Sequence, residues 1–190
     1  MVLYNGLPVF DLEIEDDNIF NNVSLVDFPA IQHDFIRFAE DAEIKFKVDE
    51  EKHIVSGPVL IPDQMIYRRQ GNKEYYVRFN AEAIEQMALR FFQDHKNTEG
   101  NVMHEVNVDG VCYFESYLVN KERGIAPKEF SDLPDGTWFM SAKIENEELW
   151  GLIKEGVIRG FSIDAVLTST PAKDEIDTLE DLMEYIKSIK

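Results

Sequence analysis

Polar and apolar residues alternate with a period of two along much of this chain, in short runs broken by glycine, proline or acids. That pattern limits the possible folds more than any other feature. Glu43-Ile-Lys-Phe-Lys-Val48 is the clearest case. Successive side chains on a strand point to opposite faces, so such a run is a strand with one wet face. Val23-Ser-Leu-Val-Asp27 reads as a short strand halted at Pro29. His53 through Ile61 is another, with a bulge or bend at Gly57-Pro58, and Glu74-Tyr-Tyr-Val-Arg-Phe79 is a further one.

The period changes at Asn80, an N-cap for a helix in which Ile84, Met87, Ala88 and Phe91 recur up to about Gln93. A second helix is capped by Asn146, carries the stripe Leu149, Trp150 and Ile153, and ends at Gly156. Residues 94–100 read as a loop, 120–136 as a long surface loop, and Thr137 to Ile144 as a strand. Val157 to Leu167 runs extended. Phe161, Ile163, Ala165 and Leu167 share one of its faces, and Gly160, Ser162 and Asp164 share the other.

Seven or so strands with two embedded helices predict an antiparallel, barrel-like α+β domain over residues 1–169. The remainder, 170–190, is expected to be the end of a Ser/Thr/Pro linker, Thr168 to Ala172, followed by an amphipathic helix. Its stripe is Ile176, Leu179, Leu182, Met183, Ile186 and Ile189. Packing back on the barrel is the favoured role for that helix, with docking on another protein or a second protomer as the alternative.

Charge narrows the function. Thirty-seven acids against 19 bases give a net charge of −18, which disfavours a nucleic-acid partner because phosphate binding needs clustered Lys and Arg. No apolar run approaches the roughly 20 residues that cross a bilayer, and the start of the chain lacks a basic stretch leading into an apolar block. A soluble, intracellular protein with no membrane partner is expected. The single Cys112 reads as a small core residue. His33, His53, His95 and His104 are scattered and H-E-x-x-H is absent, so neither a metal nor another cofactor is expected.

Two segments carry candidate chemistry: Asn101-Val-Met-His104-Glu105 and Gly160-Phe-Ser162-Ile-Asp164. Serine as nucleophile with histidine as general base is the arrangement they offer. The structural alternatives are an ordinary strand serine and a half-buried structural histidine. An α/β-hydrolase is disfavoured, because the G-x-S-x-G elbow is missing. Asp109-Gly110 between two alternating runs predicts a two-residue hairpin in which 108 faces 111 and 104 faces 115. Glu115 would then stand across from His104 with Cβ atoms about 5 Å apart, as the group that orients the imidazole. Asp164, about 6 to 7 Å along the strand from Ser162, is the other candidate. Glu105 is a poor third, since neighbouring strand residues face opposite ways.

Ser24-Leu-Val-Asp-Phe-Pro29-Ala30, Ser56-Gly-Pro-Val-Leu-Ile-Pro62, Glu74-Tyr-Tyr-Val-Arg-Phe79, His104-Glu105, Glu115-Ser116, Gly136-Thr-Trp138, Leu149-Trp150 and Gly160-Phe-Ser162-Ile-Asp164 occur in this order. Together, over roughly residues 20 to 167, they resemble the XkdF-like phage serine proteases. The resemblance implies a prohead, or capsid-maturation, protease of the assemblin type: a seven-stranded barrel surrounded by helices, with Ser162 as nucleophile and His104 as base. The acid two residues after the serine is commonly Glu in such relatives, and Asp164 stands there. The implied partners are the phage scaffold and major capsid protein inside the immature capsid in the host cytoplasm. Self-cleavage and a homo-oligomer fall within the same implication. Two alternatives remain: a scaffold- or capsid-associated module that has the fold without activity, and a barrel binding protein in which His104 and Ser162 are incidental. The latter predicts the two side chains more than about 8 Å apart, outside any hydrogen-bonded relay.

Overall fold

The computed structural model describes residues 2–13, 19–26, 47–70, 73–104, 106–166 and 168–171, and among these it forms thirteen strands and two α-helices. In chain order they are β1 (Leu3–Tyr4), β2 (Leu7–Glu13), β3 (Ile19–Val26), β4 (Lys47–Asp49), β5 (Ile54–Leu60), β6 (Ile66–Gln70) and β7 (Lys73–Phe79), then α1 (Ala81–Gln93). After it come β8 (Gly100–Val102), β9 (Val106–Val108), β10 (Val111–Leu118), β11 (Trp138–Ile144), α2 (Glu147–Lys154), β12 (Gly160–Val166) and β13 (Thr168–Pro171). Asn80 and Asn146 cap the helices as their sequences predict. Each side-chain oxygen accepts from the backbone N–H three residues on, that of Ala83 at 2.8 Å and that of Leu149 at 2.9 Å.

The strands form three sheets. The first runs β1-β2-β7-β6 with β13 also beside β2, the second β10-β11-β5-β4, and the third β12-β3-β8-β9. Most pairings are antiparallel, but β2 pairs with β7 and β3 with β8 in parallel. Period-two patterning shows which face of a strand is wet and is silent about strand direction, so the all-antiparallel expectation does not hold. The mixed α+β class does. Among the described residues no hydrogen-bonded ladder closes the sheets into a ring, although β12 passes alongside β5.

A single large core joins all three sheets to both helices. Ile84, Met87 and Phe91 present the buried stripe of α1. The Phe91 ring meets Tyr113 and Trp138 edge-on, with centroids 5.4 and 5.7 Å away. Truncating such a ring to alanine costs about 3 to 5 kcal/mol. Tyr113 also carries a polar tie through the core, since its hydroxyl donates to the Val23 carbonyl at 2.8 Å, and burial raises the phenol well above its usual range. That bond anchors β3 one residue from Ser24.

Several expectations are corrected here. Asp109-Gly110 is not a hairpin turn: Val111 pairs at once with Ile144, so β10 belongs with β11, while β9 folds back on β8. The Gly110 carbonyl accepts from Glu145 N–H at 2.7 Å, and a Cβ there would lie 3.0 Å from Asn146 N. The glycine therefore turns the chain onto the start of α2. The bend at Gly57-Pro58 is present as a register shift, with Trp138 opposite Leu60 and Phe139 opposite Pro58. The segment read as the start of a linker is β13, paired with β2 from Thr168↔Glu13 to Pro171↔Phe10. β1, β2 and β6 have no counterpart in the sequence expectations. Cys112 is half-buried between the buried Val111 and Tyr113 rather than in the core. The amphipathic helix at 174–189 and most of the 43–48 run lie outside the described residues.

Candidate active site

The third sheet carries a row of polar side chains across its strands at one register. Ser162 on β12 is the direct partner of Ser24 on β3, and antiparallel partners hold their side chains on the same face about 4.5 to 5.5 Å apart at Cβ. The parallel pairing Leu25↔Val102 sets Ser24 beside Asn101 on β8. Asn101 is in turn the partner of Asn107 on β9. Hydrogen bonds link the last three: Ser24 Oγ donates to Asn101 Oδ1 at 2.7 Å, and Asn101 Nδ2 donates to Asn107 Oδ1 at 2.9 Å. Ser24 and Ser162 are 0% and 3% exposed, whereas Asn107 reaches solvent. The row thus runs from the interior to the surface.

His104 folds over this row from the β8–β9 loop. Val102 pairs with Val106, leaving three residues to turn the chain, and both Met103 (φ 57°) and His104 (φ 61°) adopt the left-handed conformation. Two successive non-glycine residues in that region are uncommon and carry strain. The loop is pinned at its start, where Met103 N–H donates to the Leu25 carbonyl at 3.0 Å and extends the β3–β8 pairing. Its base needs Gly100, since a Cβ there would lie 2.5 Å from the Val108 carbonyl and 2.8 Å from a Val111 methyl. The ring that results is exposed, with Nδ1 3.0 Å from Ser24 Oγ.

Ser162 and His104 are therefore brought to one place, each within a residue's width of Ser24. Phe161 and Ile163, flanking the serine, point into the core on the opposite face, as the alternation of β12 predicts. Asp164, two residues along β12 from Ser162, is the ladder partner of Asn22 on β3, and its side chain lies outside the described residues. Glu115 is elsewhere. It pairs with Ser141 in the second sheet, and its carboxylate accepts from Ser141 Oγ at 2.5 Å. The placement of Glu115 across from His104 fails with the hairpin that predicted it. Among the described residues no group of three or more His, Cys, Asp or Glu could hold a metal ion.

The sequence reading gives no site role to Ser24, Asn101 or Asn107, although Ser24 and Asn101 each open a motif that it singles out. A signal for Asn101 and Asn107 exists: Asn101-Val-Met-His-Glu-Val-Asn107 reads the same from either end at its outer four positions, as a hairpin with a three-residue loop at Met103–Glu105 would. Ser24 carries no such mark, because its neighbours across the sheet, Asn101 and Ser162, are remote from it in the sequence.

A buried serine beside an exposed histidine can perform acyl transfer, with the hydroxyl attacking a carbonyl and the imidazole moving the proton. No curated protein and no solved structure matches the chain. Residues 41–170 match the family described as "Putative phage serine protease XkdF", and with more than half of its length covered, the chain belongs to that family.

Proposed function

We propose that this chain is a prohead protease that cleaves scaffold and capsid proteins during phage head assembly, with Ser162 as nucleophile and His104 as general base. The observation that carries the proposal is the pairing Ser162↔Ser24 together with the 3.0 Å contact between Ser24 and His104, which gathers both residues at one point of a family member. In the reaction His104 takes the Ser162 hydroxyl proton as Oγ bonds to the scissile carbonyl carbon. The same proton goes to the departing amine as the C–N bond breaks, and water then hydrolyses the acyl-enzyme. An assemblin-type barrel belongs to this proposal as the arrangement the family suggests, supported by the passage of β12 alongside β5. So do a location within the immature capsid and self-cleavage.

The contact to His104 also favours a second assignment, Ser24 as nucleophile. Its hydroxyl proton is directed to Asn101 rather than to the imidazole, which favours Ser162. Incubating the chain with its cognate scaffold protein, beside Ser162→Ala, tests the proposal: defined scaffold fragments form with the wild type and not with the variant. Equal cleavage by Ser162→Ala removes Ser162 from the mechanism.

A further inference from the structure

We infer that Ser24, held by Asn101 and Asn107, is a positioning residue for His104, serving its Nδ1 as a carboxylate does in a Ser-His-Asp site; this deepens, and rests on, the protease proposal. The protons available along the row decide the tautomer. Asn101 has one carbonyl and one amino group on its side chain, and the amino group donates to Asn107. Its carbonyl therefore faces Ser24, which donates its single hydroxyl proton there at 2.7 Å. Toward His104, 3.0 Å away, Ser24 then has only lone pairs, so the hydrogen in that contact belongs to Nδ1. A neutral imidazole with its hydrogen on Nδ1 has its lone pair on Nε2. Nε2 is thereby kept as the basic nitrogen, while Ser162 waits on the same sheet face, directly opposite Ser24.

The groups of this relay, Ser24, Asn101 and Asn107, are uncharged, and Asn107 places its far end at the surface. A nucleophilic Ser24 would require the opposite proton arrangement, with its hydroxyl hydrogen pointing at Nδ1.

Nitrogen-15 NMR of the full chain reads the tautomer directly, with the His104 signals identified by their loss in His104→Gln. The expected wild-type spectrum has protonated Nδ1 and unprotonated Nε2. Asn101→Leu removes the acceptor, so Ser24 turns its proton toward Nδ1 and the spectrum changes to the Nε2–H form. The same variant loses on the order of 10²- to 10⁴-fold in kcat on scaffold with little change in KM, as for a wrong tautomer in a triad. Asn101→Asp, which keeps an acceptor toward Ser24, retains the wild-type tautomer. An Nε2–H tautomer in the wild type, or an unchanged Nδ1–H signal in both Asn101→Leu and Ser24→Ala, overturns the inference. A wild type that shows the Nδ1–H tautomer but hydrolyses nothing overturns the protease proposal instead, because the spectrum requires no turnover.

Discussion

Two sheets of this protein carry the same device and put it to different ends. In the second sheet Glu115, Ser141 and Ser56 lie at one register on β10, β11 and β5, linked by hydrogen bonds of 2.5 and 2.8 Å. In the third, Ser162, Ser24, Asn101 and Asn107 occupy one register on β12, β3, β8 and β9. The rows give partners to the hydroxyls of Ser141 and Ser56 in one sheet and of Ser24 in the other, where strand pairing would otherwise bury each at about 1 to 3 kcal/mol. Only the third sheet adds a histidine, delivered by a three-residue loop in a strained conformation. A serine row is thus a packing solution in itself, and the loop turns one of the two rows into a candidate site. A carboxylate, the feature a triad search looks for first, sits in the row without the histidine.

The contrast can be broken most severely at the site. Ser162→Ala and His104→Ala each remove nearly all scaffold cleavage while the melting temperature stays close to wild type, and the double variant is scarcely worse than either, because the two act as one unit. Gel analysis of scaffold digestion beside thermal melting checks this. Additive losses in the double variant would separate the two residues.

A smaller effect is expected where the loop is anchored. Gly100→Ala forces a methyl against the Val108 carbonyl and Val111, so it costs about 1 to 3 kcal/mol of stability by thermal or urea unfolding. It also lowers cleavage by displacing His104. Wild-type activity in this variant would show that the strained loop is not what places the ring.

The smallest effect on turnover belongs to the second row. Glu115→Gln keeps the acceptor for Ser141 and leaves kcat within about threefold of wild type, at a stability cost near 1 kcal/mol, as for one weakened hydrogen bond. A loss of two orders of magnitude in kcat would place Glu115 in the mechanism after all.

The sequence reveals those parts of this molecule that depend on neighbours along the chain. Both helices begin at the asparagines that cap them, β12 shows its buried face in Phe161 and Ile163, and the family motifs stand in order. Partners across the sheets are less visible. Asp109-Gly110 has the composition of a hairpin turn, yet Gly110 uses its positive φ to meet the α2 cap. The true hairpin turns through Met103 and His104 with no glycine in its loop. Ser24 gains its importance from Asn101 and His104, 77 and 80 residues away, through a parallel pairing that period-two patterning does not encode.

On the protease proposal Ser162, beside His104, is the one activated hydroxyl among the buried and half-buried serines. Treatment with a fluorophosphonate, which forms a covalent adduct with activated serines, followed by peptide mass mapping, tests it without a known substrate. The predicted result is a single adduct on Ser162, abolished in His104→Ala, with Ser24, Ser56 and Ser141 unmodified. An adduct on Ser24, or labelling of Ser162 that persists undiminished without His104, would contradict it.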